Sequence, residues 1–175
     1  DAETLCRLAK SAGMLVIMDA VTSLAGIDLK ADAWGADVVY SGTQKCLSGL
    51  PGISPITFSD DAVSAIQART QKVQSWFLDM NLIMGYWGEG AKRAYHHTAP
   101  VNAIYALHEA LLMLEEESLE ASIARHQDNH VTLAAGLSKL GLDLAVSEPW
   151  RLPQLNSVLI PQGIDDATIR ARLLN

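Results

Sequence analysis

Apolar and polar positions along the chain change rhythm several times, and each change marks an element. Leu5, Leu8, Ala9 and Ala12 recur at helical spacing, so residues 2–12 are predicted as a helix that Gly13 stops. "MLVIM", residues 14–18, has no alternation. Such a run fits a strand buried on both faces of a parallel sheet, and Asp19 ends it. "SLAGIDLKADAWG" reads as turns with a short helix, and "ADVVYS", 36–41, as a second strand. "ISPITFS", 53–59, reads as a third strand, antiparallel because "LPG" returns the chain tightly. "DDAVSAIQART", 60–70, carries acidic residues where a helix N-terminus favours them.

Residues 76–98 read as loop with short helices. Their aromatics Trp76, Phe77, Tyr86 and Trp87 are expected in a core or an interface, and "GEG", 88–90, is expected as a turn. Ile104, Leu107, Leu111 and Leu114 form a stripe on a helix over about 101–116. Leu119, Ile123, His130, Leu133 and Leu137 form another over about 119–140, closed by Gly141. "LNSVLIP", 155–161, is predicted as a strand, and Asp165 or Asp166 as the cap of a last helix. Alternating strands and helices give an α/β class. From about residue 117 the helix–strand–helix pattern marks the start of a second, smaller domain.

Composition narrows the function. The chain has 175 residues, 49% of them hydrophobic, with a formal net charge of -7. That is core-forming, and without a basic stripe it argues against a nucleic-acid surface. The longest apolar stretch, Met14 to Met18, is too short to span a bilayer. Cys6 and Cys46 make neither a disulfide framework nor a zinc set, which fits a reducing, cytosol-like compartment.

Two residues carry candidate chemistry. Asp19 and Lys45 each follow an apolar strand on its carboxyl side, where open α/β sheets bind ligands. If the strands are parallel neighbours, about 4.8 Å apart, the two side chains approach one pocket. A turn cap, a salt bridge or a solvated lysine would also account for them. A carboxylate and a lysine flanking a small planar ligand would suit pyridoxal 5'-phosphate, whose aldehyde takes an amine and whose ring nitrogen takes an acid. Ser41, Gly42 and Thr43 could supply donors to its phosphate. His126 and His130 share a helix face but form no metal motif.

"VIMDAVTSLAG", "DAWGADVVYSGTQKCLSGLPGISPITFS" and "WGEGAKRAYHHTAPV" together resemble the class V aminotransferases of pyridoxal-phosphate fold type I, most of all the alanine–glyoxylate and serine–pyruvate or serine–glyoxylate group. The resemblance implies that residues 1–116 are the later part of the large cofactor-binding domain. Residues 117–175 would then begin a smaller α+β C-terminal domain. It assigns Lys45 as the Schiff-base lysine, Asp19 to the pyridine nitrogen, Val21 to the ring face and Gln44 to the phosphate. Tyr95 and Thr98 match residues that bind the phosphate in the neighbouring subunit's site, so the resemblance implies a homodimer with shared sites; Ser23 is unassigned. The substrates implied are a small amino acid and a small 2-oxo acid, with no nucleic acid and no membrane as partner. The implied location is cytoplasmic, with a peroxisome or another organelle left open. Two alternatives stay beside it: a ureidoglycine–glyoxylate aminotransferase, and a non-catalytic fold type I relative. A desulfurase fits less well, because Gln44 stands where that group has histidine and no cysteine follows Cys46. The first residue is Asp1 and the chain stops inside a helical pattern. A piece of a longer enzyme is therefore expected, inactive alone, with the glycine-containing phosphate turn upstream and the substrate-carboxylate arginine downstream.

Overall fold

The computed structural model describes residues 1–87 and 94–174; the "GEG" segment at 88–90 lies outside them. The elements run α1 (Ala2–Ser11), β1 (Ile17–Asp19), α2 (Ala31–Trp34), β2 (Val38–Tyr40), β3 (Ile56–Phe58), α3 (Asp60–Gln67), α4 (Met80–Trp87), α5 (Val101–Glu117), α6 (Leu119–Lys139) and α7 (Asp166–Leu173), with a 3-10 turn at Glu148–Trp150.

The sheet has the order β1-β2-β3. β1 and β2 are parallel, pairing Ile17 with Val38 and Asp19 with Tyr40. β3 is antiparallel to β2, as the "LPG" return predicts, and pairs Ile56 with Tyr40. The core under it is small: Ala20, Ala36 and Val39, with Val16, Met18, Leu24, Leu29 and Ala31 packed around them.

Local signals set the helix ends. Asp1 caps α1, its carboxylate accepting from the Thr4 N–H at 2.6 Å. Gly13 beyond it takes a φ of 73°, a left-handed position that costs glycine little. Ser59 caps α3 through the Ala62 N–H, and Asp165 caps α7 through the Thr168 N–H. Ser118 separates α5 from α6 at a φ of 71°, and its hydroxyl caps α6 through the Ala121 N–H.

One buried polar knot ties these pieces together. Asp37, only 3% exposed, opens β2. It accepts from the Val16 N–H (2.8 Å), Lys10 Nζ (2.9 Å) and Ser59 Oγ (2.9 Å). Lys10 also reaches Asp61 at 3.2 Å. The entry to β1, helix α1 and the cap of α3 thus converge on one carboxylate. Burial works against its charge, but Lys10, the Val16 N–H and Ser59 outweigh it and hold the carboxyl below its ordinary range.

Three expectations need correction. The strand expected over 14–18 begins at Ile17 and is not buried on both faces: Ile17 is 69% exposed and Met14 and Leu15 are exposed. β1 ends the strand order, so among the described residues no strand pairs on its outer side. The strand expected over 155–161 is absent; only bridges Leu144–Val158 and Leu152–Leu155 form there. The stripe on α5 is not a closed core. Leu107 and Leu114 are half-buried, Ile104 and Leu111 are exposed, and the helix lines an apolar groove of about 370 Å³ with Leu24, Leu29 and Leu47. Trp76, Phe77 and Trp87 are exposed, which leaves the interface half of their expectation open.

Candidate active site

The site grows from the carboxyl ends of β1 and β2. Because these strands are parallel and Asp19 faces Tyr40 in register, the turns that follow them start side by side. Three hydrogen bonds join them. The Ala20 N–H donates to the Tyr40 carbonyl (2.9 Å), Ser41 Oγ to the Ala20 carbonyl (2.9 Å) and Cys46 Sγ to the Thr22 carbonyl (3.3 Å). Val21 and Lys45 therefore sit on turns held together one residue away, at Thr22 and Cys46.

Asp19 is exposed, yet its carboxylate is oriented. Oδ1 accepts from the Val21 N–H at 2.8 Å and Oδ2 from the Tyr40 hydroxyl at 2.9 Å. The bond to Asp19 pushes the Tyr40 phenol up, so it stays a donor at neutral pH. Lys45 is exposed on a turn closed by the Ser48 N–H to the Lys45 carbonyl (2.9 Å). Lys10 and Lys30 are tied to aspartates; among the described residues no carboxylate pairs with Lys45. A cleft of about 380 Å³ opens beside it, lined also by Thr22, Cys46, Arg125, His126 and Gln154. Arg125 is held by Glu117. Burial pushes the Cys46 thiol up, against a smaller opposing pull from Arg125, so Cys46 is a poor nucleophile at neutral pH.

The phosphate donors expected from "SGT" are corrected in part. Ser41 Oγ is spent on the Ala20 carbonyl and Thr43 Oγ1 on the Leu50 and Ile53 carbonyls, and both residues are buried. Their backbone N–H groups are spent as well, on Pro55 and Ile53. Gln44, next along the turn, is exposed. It folds back over Gly42, where an added Cβ would stand 2.8 Å from Gln44 Oε1.

Tyr95 and Thr98 lie elsewhere, on the segment before α5. Tyr95 is 75% exposed and its hydroxyl is bonded to Thr98 Oγ1. Among the described residues no hydrogen bond joins either one to Asp19, Gln44 or Lys45. His96 and His97 between them pack on Trp76 and Phe77. His126 bonds the Ser122 carbonyl and His130 bonds Asn156, so the shared helix face is used for separate contacts. The residue that sequence reading missed is Tyr40. Its signal is its place as the last residue of β2, opposite Asp19 once the strands are taken as parallel.

Comparison with known proteins identifies the family. The family described as aminotransferase class-V matches residues 1–167. An alanine–glyoxylate aminotransferase of Oryctolagus cuniculus is 45% identical over 149 residues, which is 84% of this chain and 38% of that protein. An (S)-ureidoglycine–glyoxylate transaminase of Bacillus subtilis (strain 168) is 34% identical over 178 residues, 91% of this chain and 42% of that protein. The crystal structure of an alanine–glyoxylate aminotransferase from Nostoc sp. superposes with a TM-score of 0.92 at 45% identity, covering 100% of this chain and 46% of that one. The chain thus spans less than half the length of these relatives.

Proposed function

The chain belongs to the class-V aminotransferases, pyridoxal-phosphate enzymes with the α/β fold type I, and from that membership we propose that it carries the cofactor-holding centre of a transaminase. The reaction proposed moves an amino group from a small amino acid, alanine or serine, to a small 2-oxo acid, glyoxylate or pyruvate. One observation carries the site: an oriented carboxylate ends β1, and a lysine without a carboxylate partner among the described residues stands on the turn after its parallel neighbour β2.

The residues fit pyridoxal 5'-phosphate. The Asp19 carboxylate offers about four acceptor directions, of which two are used, so a protonated ring nitrogen can still be accepted. When bound, the cofactor supplies an electron sink for the pair left behind when the substrate loses its α-proton. Lys45 Nζ would hold the cofactor covalently and, once displaced by substrate, carry that proton as a neutral amine. Asp19 would keep the ring nitrogen protonated. Val21 would pack on the ring, its backbone already fixed by its bond to Asp19. Gln44 would meet the phosphate.

Tyr95 and Thr98 are proposed to serve the neighbouring subunit of a homodimer. The exposure of Tyr95 and the bond between the two hydroxyls favour that role. The division into a large domain up to about residue 116 and a smaller one after it is proposed to fall at Ser118, between α5 and α6. No helix among the described residues is long and apolar enough to cross a membrane. Two free cysteines fit a reducing compartment such as the cytoplasm.

The test uses the full-length protein. Borohydride is expected to fix the cofactor on Lys45, and Lys45→Ala to lose both the fixed adduct and the visible absorbance. A yellow, trappable Lys45→Ala protein refutes the assignment. A panel of alanine, serine and ureidoglycine with glyoxylate as acceptor then separates the alanine-type reading from the ureidoglycine one. The higher identity to the alanine–glyoxylate relative favours the former.

A further inference from the structure

Matched residues of adjacent strands project to the same face of a sheet. Asp19 and Tyr40 are such a pair, each the last residue of its strand. The phenol therefore meets the carboxylate from the side, while the Val21 N–H meets it from the following turn. An aspartate's terminal torsion is otherwise broad. Two donors on different oxygens, one from a neighbouring strand and one from the backbone, hold it to a single setting. Among the described residues no lysine or arginine forms an ion pair with Asp19, so its charge rests on these two donors and stays available to a cation.

We propose that Tyr40 is a positioning residue: its hydroxyl fixes the Asp19 carboxylate so that a free acceptor edge is presented to the protonated ring nitrogen of the cofactor. This rests on the reading of Asp19 as the ring-nitrogen partner. Tyr40 touches neither cofactor nor substrate in this scheme and acts only through Asp19. Tyr40 is half-buried and pairs with Ile56 across β2 and β3, and Tyr40→Phe keeps the ring while removing the donor.

The experiment uses the full-length protein, stripped of cofactor and titrated with pyridoxal 5'-phosphate, with binding read from Trp fluorescence. Tyr40→Phe is expected to weaken binding about tenfold, the scale of one hydrogen bond to a charged group. It is also expected to move the pH midpoint of the bound cofactor's visible absorbance and to leave the melting temperature of the stripped protein nearly unchanged. Asp19→Asn is expected to weaken binding more. In that background Tyr40→Phe should add less than about twofold, because a residue acting through Asp19 has nothing left to act on. In the stripped protein, Asp19→Asn should also let the Tyr40 phenol ionise at a lower pH than in wild type. Wild-type binding and pH profile in Tyr40→Phe, with Asp19→Asn impaired, overturn the proposal alone. An equal loss from Tyr40→Phe in both backgrounds also overturns it, since that is a packing effect. If Asp19→Asn itself binds as wild type, the ring-nitrogen reading falls and the proposal with it.

Discussion

Replacing Asp37 by alanine removes one carboxylate, strands two donors and weakens a third. The Val16 N–H loses its 2.8 Å partner at the entry to β1, Ser59 Oγ loses the bond that sets the start of α3, and Lys10 keeps only Asp61. Bonds to a charged group contribute about 1.5–3 kcal/mol each, and breaking a buried pair from one side costs about 3–5 kcal/mol. Lys10 is partly solvated and its share is discounted. The expected loss at pH 7 is then about 4 kcal/mol, read as a lower urea midpoint for the full-length protein by Trp fluorescence. The loss must also depend on pH. The folded carboxyl titrates below the ordinary value of about 3.9. Its stabilisation is therefore fully present above that value and lost as the pH falls through the folded one. The gap between wild type and Asp37→Ala should narrow below about pH 4. A loss below about 1 kcal/mol at pH 7, or a gap equally wide at pH 3 and pH 7, would refute the knot as the fastener of α1, β1 and α3.

Two further outcomes are expected. Gly35 ends α2 at a φ of 82°, and an added Cβ would stand 3.3 Å from Lys10 Cγ. Gly35→Ala should cost about 1–2 kcal/mol in the same urea assay, and a neutral result would contradict the left-handed cap. Cys46 donates to the Thr22 carbonyl and its thiol is pushed up by burial. Its alkylation at pH 8, followed by mass spectrometry, should run about fivefold or more slower than that of a small free thiol; a faster reaction would refute the assigned environment.

Elements written in local code were legible in the sequence: α1 with its glycine stop, the two long helices, the Asp165 cap and the antiparallel return before β3. The places of Asp19 and Lys45 behind apolar strands were legible too, while the roles proposed for them come from the family resemblance. What stayed hidden depends on partners far along the chain. The "MLVIM" run carries the composition of a covered strand, yet burial is decided by what lies over it, and β1 is an edge. The hydroxyls of Ser41 and Thr43 looked available because hydroxyls in a glycine turn often are. Their direction is fixed by the Ala20 and Ile53 carbonyls brought beside them by the sheet. Tyr40 was invisible as a site residue for the same reason, since its partner is set by strand register.

The bonds that seat Asp19 against Tyr40 and join the two turns all close within residues 19–46. These contacts close shorter loops than any contact to α5 or α6 does, so less chain entropy opposes them. In a chain growing from its N-terminus, the pocket floor can therefore take shape while α5 and everything after it are still unmade. The later helices would meet a floor already set, and Arg125, His126 and Gln154 would then add the far wall of the cleft beside Lys45.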